Sequence, residues 1–178
     1  MTDTLQIKLL SDNATKPKRA DDASAGYDIY AAETLILEPQ EKALVATNLA
    51  VNIPKGYVGL LTSRSGVSSK THLVVETGKI DAGFQGHMRI NIKNDMEPLE
   101  SWNSCNFHWS PIGIDGEYIE RTKTDENLVM DGCYLINKGE RLAQLVIVPI
   151  WTPELETVEE FESESARGEK GFGSSGTR

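Results

Sequence analysis

Short apolar or alternating runs recur along this chain, each closed by a turn signal within about ten residues, and that rhythm belongs to sheets. Residues 5–9 alternate as a first strand, and residues 34–37 end at Glu38-Pro39. Residues 43–53 form a longer run closed by Pro54-Lys55-Gly56, with 57–61 directly after it. Residues 72–75, 87–93 and 133–136 repeat the pattern. The last run, 142–150, is rich in β-branched residues and apolar on both faces, so it predicts a buried central strand. Gln144 is the polar exception there, and a buried amide must find partners, either neighbouring backbone or a ligand. The expectation is an all-β sandwich or barrel.

A chain of 178 residues fits one domain with its own core. A net charge of -9 repels a phosphate backbone, which argues against nucleic acid as a partner but leaves room for a small anion beside local Arg and Lys. Cys105 and Cys133 are far apart and, with His72, His87 and His108, make no metal-ligand spacing. Two buried thiols suit a reducing cytosol, so a cytoplasmic location is expected. The N-terminus lacks the basic and apolar regions of a signal peptide. The longest apolar run, near Leu145 to Trp151, is too short for a membrane span.

Five stretches depart from the strand pattern. Thr77-Gly78-Lys79-Ile80-Asp81-Ala82-Gly83-Phe84-Gln85-Gly86 puts three glycines, a carboxylate and a ring between two strand-like runs. It predicts a hairpin aiming Asp81 and Phe84 at a shared pocket; the plainer alternative is a Gly-rich turn with an exposed Asp. Residues 62–70 hold Arg64, Ser65 and Gly66. Ser65 is a good helix N-cap, and a short helix there would offer free N–H groups to an oxyanion, unless the segment is a Ser-rich loop. Residues 95–132 carry both cysteines, or their immediate neighbours, and cluster Trp102, Phe107 and Trp109. They read as an insertion with its own small apolar cluster, either self-packed or a partner surface. Residues 154–164 are acidic and contain Phe161, a surface segment or docking arm. The end of the chain has the composition of a flexible linker, yet it carries Arg167, Lys170 and Phe172.

Five segments in this order resemble one family, the trimeric dUTP diphosphatases (dUTPases). They are Ala25-Gly26-Tyr27-Asp28-Ile29, Ser63-Arg64-Ser65-Gly66, the glycine-rich stretch from Gly78 to Gly86, Gly139-Glu140-Arg141-Leu142-Ala143-Gln144-Leu145, and Arg167-Gly168-Glu169-Lys170-Gly171-Phe172-Gly173-Ser174. Each alone is weakly specific; together and in order they are strongly so. The resemblance implies a β jelly-roll domain over residues 1–165, including the insertion at about 95–132, with residues 166–178 as a flexible arm closing over the active site. It implies a homotrimer with active sites built from all three chains.

The same resemblance assigns roles. Asp81 orients and deprotonates the water that attacks the α-phosphorus of dUTP, giving dUMP and pyrophosphate. Asp28 holds a water of the Mg²⁺ that chelates the triphosphate. Arg64, Ser65, Gly66 and Gln144 contact phosphates. The backbone of Gly78, Lys79 and Ile80 pairs with uracil, and the ring of Phe84 stacks on the deoxyribose. In the arm, Phe172 covers the base while Arg167, Ser174 and Ser175 reach the phosphates. This agrees with elementary chemistry: a polyphosphate needs its charge neutralised, and water needs a positioned base.

Three positions depart from the family pattern: Ser63 replaces the usual Pro, Phe84 the usual Tyr, and Val75 an Asn that many relatives place near uracil. A similar insertion and closely similar flanks occur in dUTPases of staphylococcal phages, which implies a second role, binding and derepressing a pathogenicity-island repressor. A dCTP deaminase of the same fold ranks below both, because Asn91 stands where that relative carries a catalytic Glu.

Overall fold

The computed structural model describes residues 4–98, 110–120, 131–163 and Gly168. Ten strands and one short helix follow in order: β1 Gln6–Leu9, β2 Tyr27–Tyr30, β3 Leu35–Leu37, β4 Lys42–Asn52, β5 Tyr57–Ser63, α1 Ser65–Ser68, β6 Leu73–Val75, β7 Gly78–Ile80, β8 Met88–Asn94, β9 Tyr134–Ile136 and β10 Arg141–Pro149. Two four-stranded sheets, ordered β1-β4-β8-β6 and β2-β10-β5-β7, face each other, with a β3-β9 ladder beside them. Every pairing between these strands is antiparallel. This is the two-sheet architecture expected from the strand rhythm and the jelly roll implied by the family resemblance, and β10 lies inside its sheet as its apolar composition requires.

Alternation builds the core. In β8 the burial of Met88, Ile90, Ile92 and Asn94 alternates with more open Arg89, Asn91 and Lys93, the period of a sheet with one wet face. The inward set joins Ile29, Leu37, Val45, Leu49, Leu61, Leu73, Tyr134, Ile136, Leu142 and Leu145 in a single cluster.

Two strands are irregular. β4 shifts register between Ala46 and Leu49. Asn48 takes φ 51° there, a conformation Asn tolerates better than most side chains. Buried Thr47 donates its hydroxyl to the Met88 carbonyl at 2.5 Å, and His87 Nε2 accepts the Asn48 N–H at 2.9 Å. β10 shifts register between Arg141 and Ala143. That bulge sends Leu142 fully into the core while Arg141 stays at the surface.

The insertion leaves and returns at one anchor. Asn94 is fully buried, donates to the Leu37 and Gly132 carbonyls at 3.2 and 2.8 Å, and accepts the Met96 N–H at 3.0 Å. Within it, Ile112 bridges Tyr118 antiparallel and Tyr134 in parallel. Trp102, Cys105, Phe107 and Trp109 lie outside the described residues. Cys133 is buried. Gly116 presses so closely on the Lys70 carbonyl that no Cβ would fit, which seats this part of the insertion beside the residues that follow α1.

Candidate active site

The first three strands of the β2-β10-β5 sheet bring three of the quoted motifs together. Asp28 lies opposite Gln144 on β10, and Gln144 lies opposite Thr62 on β5. Asp28 is nearly buried, and both its oxygens are occupied. Arg64 Nε donates to Oδ1 at 2.8 Å and Arg141 Nη1 to Oδ2 at 3.3 Å. Arg64 Nη1 also reaches the Arg141 carbonyl at 3.2 Å. Two guanidiniums on one carboxylate leave a net positive charge, which favours an anion.

Gln144 donates to the Ser63 carbonyl at 3.2 Å. That bond holds the segment leading into α1. Ser65 is not the N-cap. Arg64 takes that position in extended conformation, without a side-chain cap bond, and Ser65 and Gly66 are the first helical residues. The helix is a single turn, and both residues are exposed. Ser65 does not cap because its backbone is already helical, and a cap needs the extended geometry that Arg64 has.

The glycine-rich stretch differs from a plain hairpin. β6 pairs with β8 in one sheet, whereas β7 crosses over and pairs with β5 in the other. Gly78 and Ile80 are half-buried and Lys79 is exposed. The chain then turns back through Asp81 to Phe84, closed by the Phe84 N–H on the Asp81 carbonyl at 3.1 Å. Gly83 has φ 89°, the left-handed third position that a type II turn reserves for glycine. Among the described residues the Asp81 carboxylate has no hydrogen-bond or ion-pair partner, and it is exposed. The Phe84 ring, 46% exposed, folds over Gly86; a Cβ there would lie 2.8 Å from Cζ. Gln85 donates to Asn52, which donates to Gln6, at 3.1 and 3.0 Å. This amide chain walls a groove of about 430 Å³ beside the hairpin.

These two groups do not meet in one chain. Ile80 is level with Gly59 on β5, so Asp81 is level with Val58, while Arg64 follows the other end of that strand. Six residues of strand put them roughly 20 Å apart. Arg167, Phe172, Ser174 and Ser175 lie outside the described residues. Asn91 is elsewhere, donating to Glu76 at 2.6 Å on the outer face of the β1-β4-β8-β6 sheet.

Residues 12–98 and 133–176 match the dUTPase family model. The chain belongs to the dUTPase family. A deoxyuridine 5'-triphosphate nucleotidohydrolase of Mycobacterium marinum is 32% identical over 182 residues, covering 99% of this chain and 97% of the relative. A probable one from Schizosaccharomyces pombe is 32% identical, with 96% of each covered. Among solved structures, the dUTPase of Staphylococcus bacteriophage 80alpha with dUPNHPP is 62% identical, at TM-score 0.91, covering 98% of this chain and 99% of that one. The D95N mutant of the phage phi11 dUTPase, described for its coordination of a structural Mg(II) ion, is 56% identical at TM-score 0.83, covering 90% and 100%.

Arg141 and the amide chain through Gln85 were given no role by the sequence. Arg141 stands inside the fourth dUTPase motif, but only the β10 bulge reveals that it faces Asp28. As for a metal, no cluster of three or more His, Cys, Asp or Glu side chains able to hold one exists among the described residues. A single carboxylate, Asp28, fits an Mg²⁺ that keeps its waters and rides mainly on substrate phosphates.

Proposed function

We propose that this chain hydrolyses dUTP to dUMP and pyrophosphate with Mg²⁺, as a homotrimer. The observation that carries the reading is the unengaged carboxylate of Asp81, presented on the dUTPase hairpin at a turn that fixes its direction. Asp81 takes the proton of the attacking water. The backbone of Gly78, Lys79 and Ile80 meets uracil, and the Phe84 ring packs against the deoxyribose. A structure of the phage 80alpha dUTPase with tyrosine 84 changed to phenylalanine was solved with dUpNHpp, at 63% identity to this chain. That supports a phenylalanine here as compatible with nucleotide. Arg64, Ser65, Gly66 and Gln144 serve the phosphates, with Arg167, Phe172, Ser174 and Ser175 closing from the arm. Mg²⁺ neutralises the triphosphate, and Asp28 holds one of its waters.

The distance between the two groups supports the trimer. A triphosphate bound by both Asp81 and Arg64 needs them from different copies. So does the exposed apolar segment after β10: Trp151, Leu155 and Phe161 are at least 88% exposed, a cost that a neighbouring copy would relieve.

The test is pyrophosphate release from a panel of deoxynucleotides with Mg²⁺. Release is expected from dUTP, and Asp81→Asn lowers kcat by about 10²–10⁴-fold while the analogue still binds. Near-normal turnover in that variant overturns the reading.

A second reading coexists with the first. Relatives from phage 80alpha are described as controlling transfer of virulence genes by a proto-oncogenic G protein-like mechanism, and in terms of SaPI-inducing capacity. We infer a repressor-binding role for this chain, with the insertion as the contact surface. Its residues 99–132 fall between the two segments matched by the family model. Deleting residues 96–131 is expected to spare hydrolysis and abolish repressor binding; retention of both excludes the insertion as that surface.

A further inference from the structure

We propose that Arg141 is a positioning residue of the hydrolysis, holding Asp28 so that Arg64 can exchange that carboxylate for substrate phosphate. The inference rests on the dUTPase reading above. In the present arrangement Arg64 is engaged twice, by Asp28 Oδ1 and by the Arg141 carbonyl. For its Nε to join a bidentate grip on phosphate, the guanidinium gives up the first of these. Without Arg141, an Asp28 left by Arg64 would have no cation in direct contact while its side chain is only 12% exposed, which opposes the exchange.

Arg141 removes that obstacle. Its Nη1 holds Oδ2, the oxygen that Arg64 does not use. When Arg64 leaves, a neutral Asp28–Arg141 pair remains. The backbone keeps both partners in place: the Asp28 N–H donates to the Lys18 carbonyl at 2.7 Å and the Ala31 N–H to the Glu140 carbonyl at 3.0 Å. The preceding turn is fixed as well, since Glu140 accepts the Asn137 N–H at 2.8 Å. The register shift between Arg141 and Ala143 then explains itself. A regular ladder would carry a run of strictly alternating side chains, whereas the bulge buries Leu142 and frees Arg141 to lean on Asp28. With a side chain 53% exposed, Arg141 is far less costly to keep charged than the carboxylate it serves.

The test is calorimetric binding of dUpNHpp with Mg²⁺ to the full chain and to Arg141→Gln, Arg141→Lys, Asp28→Asn and the Arg141→Gln/Asp28→Asn double variant, with melting temperatures alongside. Arg141→Gln is expected to weaken binding about tenfold or more, and Arg141→Lys to restore part of it. In the Asp28→Asn background the Arg141→Gln change should add nothing, because there is no carboxylate left to hold. Wild-type affinity in Arg141→Gln overturns the proposal. So does an equal loss in the Asp28→Asn background, which would make Arg141 a direct phosphate ligand. If Arg141→Gln unfolds, Arg141→Lys and its pairing with Asp28→Asn supply the same comparison. Failure of the wild-type chain to bind the analogue would instead overturn the dUTPase reading itself.

Discussion

At the scale of single residues, the fold keeps some groups in states they would not adopt alone. His87 accepts the Asn48 N–H, so its Nε2 must be unprotonated. Partial burial lowers its pKa below 6.5, and the nearby Arg89 adds to that, against a smaller opposing pull from Glu33. The unfolded chain therefore binds this proton more readily than the folded one. The stabilisation is complete above pH 6.5 and is lost as pH falls through that value towards the lower folded pKa. Melting temperatures across pH 5–8 should show this acid limb in the wild type. They should show a flatter profile in His87→Gln, whose amide oxygen accepts the same bond without titrating. Gly86 is a second such residue. Its bare Cα leaves the space in which the Phe84 ring lies, so Gly86→Ala displaces the ring while leaving the core untouched. The expected result is a several-fold rise in KM for dUTP and poorer rejection of UTP, read from parallel kinetics, with the melting temperature nearly unchanged. The sequence picked out residues that the fold brings together in part: Asp28, Arg64 and Gln144 meet on one sheet, whereas Asp81 lies on a turn away from them. The actual cap at Arg64 was not legible, because cap propensity favours the serine and the backbone chose its neighbour.

At the scale of elements, the sequence announces strands through alternation but is silent on which sheet each one joins. The hairpin expected between residues 72–75 and 87–93 forms, as β6 pairs antiparallel with β8, but the stretch between them holds β7, which pairs with β5 in the other sheet, since three residues carry too little pattern to name a partner. The two bulges were equally hidden, because a register shift leaves no mark in composition. The insertion was legible as a break in the rhythm, whereas its anchor was not: Asn94 ends an ordinary strand and looks like any turn residue. Its buried amide holds Leu37, Gly132 and Met96. Asn94→Ala strands those groups and is expected to cost about 1–3 kcal/mol. That is a fall of about 2–4 °C in Tm for each kcal/mol. Thermal denaturation checks it, and an unchanged Tm would show that the stem of the insertion is held elsewhere.

At the scale of the whole molecule, the two-sheet architecture follows from strand rhythm and one apolar core, and among the described residues Asp81 and Arg64 stay apart within one chain. The segment after β10 exposes Trp151, Leu155 and Phe161, as a strap does when it belongs on another surface. Mass measurement in solution is expected to give about three times the 19.6 kDa of one chain, and truncation before Trp151 should lower that number along with activity.

In the proposed trimer, the roughly 20 Å between Asp81 and Arg64 on one chain makes the enzyme a shared possession, open to rescue among cripples. Chains carrying Asp81→Asn and chains carrying Arg64→Ala are each inert, yet unfolded together and refolded as mixtures they should revive about a quarter of the sites, because a sound carboxylate from one parent then faces a sound guanidinium from the other. A mixture that stays dead would mean that each polypeptide must furnish both.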